Sequence, residues 1–211
     1  SDEVVISVAD HKIKTQFLVA CAGLQADRLA KMMGIRVDFE IIPFRGEYYR
    51  LARHHHQIVK RLIYPIPDPG LPFLGVHLTP MISGEITVGP NAVLGFKREG
   101  YNRFNFSIKD TSDMLLSQGF WRVVSANMQS GISEFFDSNY KPGYLKRIRK
   151  YCPRLELSDL KPYPAGIRAQ AVKKDGTMVH DFLFAQTKRS LHVCNAPSPA
   201  ATSAIPISEY I

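Results

Sequence analysis

Short apolar runs and longer stretches with helical spacing alternate along the chain, and together they predict a mixed α and β protein. Runs rich in β-branched and aromatic residues predict strands at residues 4–8, 13–20, 39–44, 47–51, 61–66, 73–79, 86–89, 182–185 and 191–194. Apolar residues spaced three and four positions apart predict helices at 24–34, 111–139, 143–151 and 205–211. Prolines punctuate residues 37–90, so this part favours a mixed or antiparallel sheet, which the helix at 111–139 is expected to cover.

Three of these elements carry more specific expectations. The strand at 13–20 ends in an unbroken apolar run, which is typical of a strand buried on both faces. The helix at 24–34 is expected to bury one stripe and to end at Gly34; its stripe consists of Leu24, Leu29, Met32 and Met33. Gly119 and Gly131 are expected to divide or bend the helix at 111–139.

Composition narrows the class of protein. With 211 residues and 45% hydrophobic content the chain can bury a real core, and it contains no apolar run of the roughly 18 residues that a membrane-spanning helix needs. Three widely spaced cysteines outside any C-x-x-C pair indicate neither a disulfide framework nor a zinc site, so we expect a reducing, cytoplasmic location. The run His54-His55-His56 is interpreted as a solvated loop, since three consecutive residues cannot all face one ion.

The charge balance favours anionic partners without identifying them. The formal net charge is +8, and part of the excess lies on the helix at 143–151, whose basic face is most often simply solvated. Contact of this basic face with an anionic membrane surface is the more specific alternative to simple solvation. No glycine-aromatic RNA motif or zinc-finger spacing accompanies these residues, so we expect no nucleic-acid partner.

One charge stands out because its surroundings are apolar. Arg168 is the only charged residue between Pro162 and Val172. A guanidinium cannot lose its charge, so in a buried strand it needs a carboxylate, a phosphate or several carbonyls. On a strand edge its stem could pack while its head reaches water. Composition leaves both interpretations open.

Two segments have the layout of a cofactor-binding backbone. The strand at 13–20 runs directly into Ala22 and Gly23 and then into a helix, which lets a phosphate or ribose approach the backbone. The strand at 191–194 leads through a loop of small residues and prolines into the last helix. One glycine by itself is a weak signal in the first segment, and an ordinary strand-to-helix connection is the alternative for the second.

Seven blocks, in order along the chain, form a wider pattern: residues 21–28 (CAGLQADR), 43–48 (PFRGEY), 64–69 (YPIPDP), 73–79 (FLGVHLT), 89–94 (GPNAVL), 165–170 (AGIRAQ) and 195–202 (NAPSPAAT). They resemble the bacterial L-2-hydroxyglutarate oxidase/dehydrogenase family, part of the D-amino-acid-oxidase-like FAD-dependent oxidoreductases. Members of that family open with a G-x-G-x-x-G motif, which this chain lacks. The resemblance therefore implies that this chain is the C-terminal half of a longer enzyme. By itself this half is expected to bind FAD weakly or not at all and to be inactive.

The resemblance also implies a division of the fold. Residues 1–36 and 164–211 would belong to a partial, Rossmann-like FAD-binding domain. Residues 37–163 would form a substrate domain of mixed, largely antiparallel sheet covered by helices.

The implied reaction is oxidation of a 2-hydroxy acid, with a small diacid as substrate and oxygen or a membrane quinone as electron acceptor. Arg168 would bind the substrate α-carboxylate, and His77 is the candidate base, although a core histidine satisfied by a neighbour is the alternative. Tyr64 and Thr79 would line the pocket. Arg45 or Tyr49 would meet the distal carboxylate, unless Arg45 pairs with Glu47 or Glu40. The expected cofactor contacts are Ala22, Gly23, Gly166, Pro197, Ser198, Pro199 and Ala200.

Two other classes of function stay open at the level of sequence. Another flavoenzyme of the same superfamily, acting on an amino or hydroxy acid, would share the Gly-x-Arg pattern. A non-catalytic module that binds anions or a membrane surface, including peripheral contact with the inner membrane, would rest on the net charge and the basic helix.

Overall fold

The fold is described from a computed structural model that covers residues 3–66, 75–102, 105–126 and 140–211. The chain divides into two compact units. Unit 1 comprises Ser1–Ile42, Asp113–Val123 and Ala169–Ile211, and unit 2 comprises Pro43–Ser112 and Val124–Arg168. The functional division expected at residues 36 and 163 stays a prediction.

Unit 1 contains a hairpin and a small mixed sheet. Its elements are strands β1 (Val4–Val8), β2 (His11–Thr15), β3 (Leu18–Ala20), β9 (Leu183–Gln186) and β10 (Ser190–Asn195), with helices α1 (Ala26–Met32) and α5 (Ala204–Tyr210). β1 and β2 pair antiparallel, whereas β10 pairs in parallel with β3 and antiparallel with β9. The core centres on Phe39, Ile41, Ala171 and Cys194, and burial raises the pKa of the Cys194 thiol to about 11.

The buried carboxylate of Asp27 connects α1 to this core. Asp27 is 1% exposed and accepts hydrogen bonds from the backbone N–H groups of Ile41 (3.1 Å) and Arg28 (2.8 Å). A buried carboxylate needs such donors because desolvation disfavours its charge. The backbone around Ile41 is thereby fixed against helix α1.

A five-stranded sheet with the order β5-β6-β4-β7, in which β8 also pairs with β4, organises unit 2. Its strands are β4 (Phe39–Leu51), β5 (His77–Pro80), β6 (Ile86–Gly89), β7 (Val93–Leu94) and β8 (Leu160–Lys173); β4 and β8 each continue along the chain into unit 1. Helix α4 (Lys141–Ile148) belongs to unit 2, while α2 (Ile108–Leu116) and α3 (Gln118–Ala126) each lie partly in unit 1. The core of unit 2 gathers Leu51, Leu78, Val88, Tyr144, Ile148 and Leu160 with their neighbours.

The predicted mixed α and β class is confirmed, while several element boundaries were wrong. Residues 39–51 form one strand rather than two. Within it Gly46 allows Pro90 to approach closely, since a Cβ at position 46 would lie 2.8 Å from the Pro90 Cβ. Residues 13–20 divide into β2 and β3. The segment 61–66 contributes only a bridge between Ile63 and Leu78.

The helical predictions differ from the structure in two places. Helices α2 and α3 are separated at Ser117 rather than at Gly119. Gly131 lies outside the described residues, and so do residues 73 and 74 of the predicted strand at 73–79. Helix α1 ends at Met32 with Met33 as its C-cap, and the predicted glycine, Gly34, follows directly with a φ of +77°. The predicted stripe was wrong at Met32, which is 79% exposed, whereas Leu24 does pack against the core. The fully buried residues of the helix are Ala26, Asp27 and Ala30. The prediction that the strand at 13–20 is buried on both faces was also wrong, because Val19 of β3 is 50% exposed.

Candidate functional site

Four side chains of unit 2 lie together, and we call them the Arg168 cluster: Arg168 of β8, Tyr48 of β4, His77 of β5, and Tyr64. Arg168 donates a side-chain hydrogen bond to the Tyr48 hydroxyl. The rings of Tyr64 and His77 stack with their centroids 4.5 Å apart and their planes 27° from parallel. The structure thus brings together Arg168, His77 and Tyr64, which the sequence singled out, and adds Tyr48.

The Tyr48 hydroxyl fixes one side of the Arg168 guanidinium. Burial raises the pKa of Tyr48, while the charge and the hydrogen bond of Arg168 oppose that rise. Tyr48 therefore keeps its proton at neutral pH and can itself donate to an acceptor. A guanidinium carries five N–H donors in a planar fork, a geometry that suits a carboxylate bound through two parallel donors.

His77 has the geometry and the ionisation of a neutral base. Its Nδ1 lies 3.3 Å from the Gly75 carbonyl oxygen, which can only accept, so the ring proton is assigned to Nδ1 and Nε2 keeps its lone pair. Burial lowers the pKa of His77; the Gly75 carbonyl opposes this effect and the charge of Arg168 adds to it. The imidazole is therefore neutral at neutral pH, the form that accepts a proton.

Gly89 makes room for the cluster within the sheet. It lies opposite His77 in the β5–β6 pair. A Cβ at this position would lie 2.9 Å from Tyr48 Cδ1 and 2.7 Å from the Glu47 carbonyl oxygen, and the φ of +142° also lies outside the range that other residues favour. The bare backbone of Gly89 allows the Tyr48 ring to pack against it.

Three further predicted residues lie on the same strands. Thr79 is two positions after His77 in β5 and so shares its face, and Gly166 is related to Arg168 in β8 in the same way. No described atom lies within 4 Å of a Cβ placed on Gly166, so the backbone there is open to a ligand. Arg45 is ion-paired with Glu47 at 2.5 Å and donates to the Asn102 carbonyl oxygen at 3.2 Å. Glu47 is one of the two partners that the sequence left open, and the substrate role of Arg45 stays a prediction.

In unit 1 the two predicted cofactor segments meet at one edge of the sheet. Ala22 and Gly23 follow β3, and Pro197 to Ala200 follow β10; because these strands pair in parallel, their carboxyl ends lie at the same edge. Ligands of open α/β sheets bind at such an edge. Gly23 has a φ of +49°, and no described atom lies within 4 Å of a Cβ placed there. This open backbone fits the approach of a flat cofactor such as FAD, and the individual contacts stay predictions.

Tyr48 and Gly89 are the site residues that sequence reasoning missed. Both lie inside blocks that carried the family resemblance, at residues 43–48 and 89–94. Strand alternation could have suggested Tyr48, but its partner Arg168 is distant in sequence, and no local pattern shows which strands become neighbours.

Within the described ranges, no helix is both long and apolar enough to cross a membrane.

Comparison with known proteins agrees with this geometry. The chain matches the family DAO, FAD dependent oxidoreductase, over residues 2–211. It is 61% identical over 194 residues to the L-2-hydroxyglutarate dehydrogenase of Escherichia coli K12, covering 92% of this chain and 46% of that protein. It is 44% identical over 213 residues to the human mitochondrial L-2-hydroxyglutarate dehydrogenase, covering 99% and 46%. The chain thus spans about half the length of these curated relatives.

A solved structure supports the fold. The dithionite-reduced, FAD-bound L-α-glycerophosphate oxidase of Mycoplasma pneumoniae superposes with a TM-score of 0.59 at 22% identity, over 93% of this chain and 41% of that chain. The expected fold class is therefore confirmed. The expected family, and with it FAD as the cofactor, is confirmed by the family match. The chain belongs to the DAO family of FAD-dependent oxidoreductases.

Proposed function

We propose that the protein containing this chain oxidises L-2-hydroxyglutarate to 2-oxoglutarate. The observation that carries the proposal is the Arg168 cluster. In it the Arg168 guanidinium is hydrogen-bonded to the Tyr48 hydroxyl and lies near the neutral imidazole of His77. A 2-hydroxy acid requires both an anion contact and a proton acceptor. The names of the curated relatives support this choice of substrate.

Arg168 binds the α-carboxylate in this proposal. Its planar fork suits a carboxylate held through two parallel N–H donors. Tyr48 orients the guanidinium and adds its own hydroxyl proton to the contact. A five-carbon diacid needs a second anion contact, which we assign to Arg45, with Thr79 and Tyr64 lining the space between.

His77 removes the hydroxyl proton. The C2–OH proton moves to the Nε2 lone pair of His77 as the C2–O bond becomes a carbonyl. The hydrogen bond from Nδ1 to Gly75 and the stacked Tyr64 ring hold the imidazole in one orientation. FAD, when bound, supplies the acceptor for the two electrons that leave C2 with the hydride. Ala22, Gly23, Gly166 and the segment Pro197, Ser198, Pro199 and Ala200 are the residues we assign to holding it.

The decisive test replaces Arg168 in protein expressed from the complete coding sequence. Arg168→Ala should lower kcat/KM for L-2-hydroxyglutarate by about 30- to 1000-fold, because it removes a partly desolvated charge pair of roughly 2–4 kcal/mol. Arg168→Lys should recover only part of the loss, since an ammonium cannot bind bidentately. Arg50→Ala is the matched control, because Arg50 is an exposed β4 arginine paired with Glu85 at 3.1 Å. An unchanged kcat/KM in Arg168→Ala would remove Arg168 from the site.

A substrate screen separates this proposal from its closest alternative. L-2-hydroxyglutarate, glutamate and sarcosine should be compared by the anaerobic loss of flavin absorbance. Reduction by the hydroxy acid alone supports the proposal. Preferential reduction by an amine would assign the protein to the amino-acid oxidases of the same superfamily.

We further propose a cytoplasmic enzyme in peripheral contact with the inner membrane, with oxygen or a membrane quinone as electron acceptor. Helix α4 buries Tyr144, Leu145 and Ile148, and the exposed cations Lys146, Arg149 and Lys150 lie on it or just beyond its end. Salt-sensitive co-sedimentation with phosphatidylglycerol vesicles would support the membrane contact, and its absence would exclude it. Turnover with a soluble quinone under nitrogen, compared with turnover in air, identifies the acceptor.

A further inference from the structure

Two consecutive histidines meet a buried carboxylate in unit 2. His54 Nε2 lies 3.2 Å from Asp159 Oδ1, and His55 Nε2 lies 3.0 Å from Asp159 Oδ2. The sequence interpretation of this run considered the histidines alone and assigned them to a solvated loop. The structure adds Asp159, which no local pattern connects to them.

The carboxylate is held in place before any ligand arrives. Asp159 is 5% exposed, and its Oδ2 accepts the Glu156 backbone N–H at 2.8 Å in a reciprocal cap of the 3-10 turn Leu157–Asp159. Its carbonyl oxygen accepts the Ala52 backbone N–H at 2.9 Å. A ligand fixed in this way loses little conformational freedom on binding an ion.

The histidines form the opposite wall of the same cluster. They belong to the 3-10 turn Arg53–His55 that follows β4, and their ring centroids are 4.1 Å apart. The His55 side chain is 17% exposed and the His54 side chain 68%, so the cluster opens to solvent on one side. Water can complete a coordination shell from that side, and the exposed His54 ring can rotate.

The spacing of the donor atoms suits a small transition-metal ion. The three donor atoms lie within 4.8 Å of one another. Ligands at about 2.0–2.1 Å from a tetrahedral zinc ion are themselves roughly 3.3 Å apart. Each imidazole nitrogen lies at a comparable distance from one oxygen of the carboxylate, His54 from Oδ1 and His55 from Oδ2. Two imidazoles with one carboxylate favour zinc, cobalt or nickel over magnesium or calcium, which prefer oxygen ligands.

We propose that His54, His55 and Asp159 bind one divalent transition-metal ion such as Zn²⁺, with water as the remaining ligand. The ion would connect the end of β4 to the start of β8. These two strands carry Tyr48 and Arg168, so the metal would brace the strands that hold the Arg168 cluster. The site stands on its own geometry and does not depend on the proposed reaction.

Zinc titration of the tag-free protein tests the site. Chelator-treated protein should bind one Zn²⁺ per chain by isothermal titration calorimetry. His54→Ala and His55→Ala should each weaken binding by more than the ~10–100-fold that follows loss of an outer-shell partner, because each removes a ligand. His56→Ala is the matched control from the same run and should leave the affinity unchanged.

A second variant and a spectroscopic readout separate metal binding from folding. Asp159→Asn keeps an oxygen that can accept the Glu156 N–H, so it should retain native circular dichroism while losing zinc affinity. Co²⁺ should give the visible absorption bands of a four-coordinate site in the wild type and in His56→Ala, but not in His54→Ala. Absence of stoichiometric zinc binding in the wild type, or zinc binding that survives His54→Ala and His55→Ala, would overturn the proposal.

Discussion

Replacing Gly89 by alanine places a methyl group where the Tyr48 ring now packs. The new Cβ would lie 2.7 Å from the Glu47 carbonyl oxygen and 2.9 Å from Tyr48 Cδ1. Both distances are shorter than carbon contacts allow, and the carbonyl belongs to the backbone of the neighbouring strand. Either β6 or the Tyr48 ring must move.

Two separate costs add in this variant. A φ of +142° outside the favoured range costs on the order of 1–3 kcal/mol for alanine. Overpacking of the methyl group adds about 1–3 kcal/mol. The free energy of unfolding should therefore fall by about 2–6 kcal/mol, and displacement of Tyr48 from Arg168 should raise KM for the substrate.

Gly84→Ala separates the two costs. Gly84 also has a positive φ, +81°, but no described atom lies within 4 Å of a Cβ placed there. The Gly84→Ala variant should therefore lose only about 1–2 kcal/mol of its free energy of unfolding, which is the conformational cost alone. Urea denaturation followed by circular dichroism gives the difference between the variants. Equal losses for Gly84→Ala and Gly89→Ala would refute the close approach of Tyr48 to β6.

The other predictions concern single groups of the site and the core. Tyr48→Phe removes the hydroxyl that accepts from Arg168; because water can partly replace it, KM should rise by about 5- to 10-fold with kcat nearly unchanged, and steady-state kinetics in which only kcat fell would contradict this. The lowered pKa of His77 places the acid limb of its kcat/KM profile below about pH 6.5, and His77→Gln should abolish that limb and slow flavin reduction by about 10²- to 10⁴-fold. The same lowered pKa means that His77 contributes stability above its ordinary pKa and loses it as pH falls below that value, because the unfolded chain then takes up the proton first. Asp27→Ala leaves the Ile41 N–H without its acceptor and should cost about 1–3 kcal/mol in thermal or urea unfolding, whereas Asp27→Asn should cost less; equal losses would argue against the hydrogen bond as the cause.

Sequence reasoning could single out residues whose chemistry is local. An arginine in an apolar run must find a partner, which pointed to Arg168, and a histidine in an apolar strand pointed to His77. Both side chains lie in one cluster. The position of Gly34 after a helix could also be predicted, because the left-handed backbone conformation that commonly follows a helix favours glycine.

It failed where packing between distant segments decides the outcome. Met32 looked like part of a buried stripe, yet helix α1 turns Ala26, Asp27 and Ala30 inward, because the buried carboxylate of Asp27 accepts from Ile41. The meeting of Asp159 with His54 and His55 also depends on which strand lies beside β4. Periodicity along one segment carries no information about its neighbour in the sheet.

The parallel pairing of β3 with β10 has a consequence for biosynthesis. Its two strands are far apart in sequence, and the core of unit 1 likewise joins Phe39 and Ile41 to Ala171 and Cys194. Unit 2 has all of its segments once Arg168 has been translated. Because the ribosome adds residues in chain order, unit 2 can condense before β10 is made, while β3 must wait for β10 before this parallel pair can form.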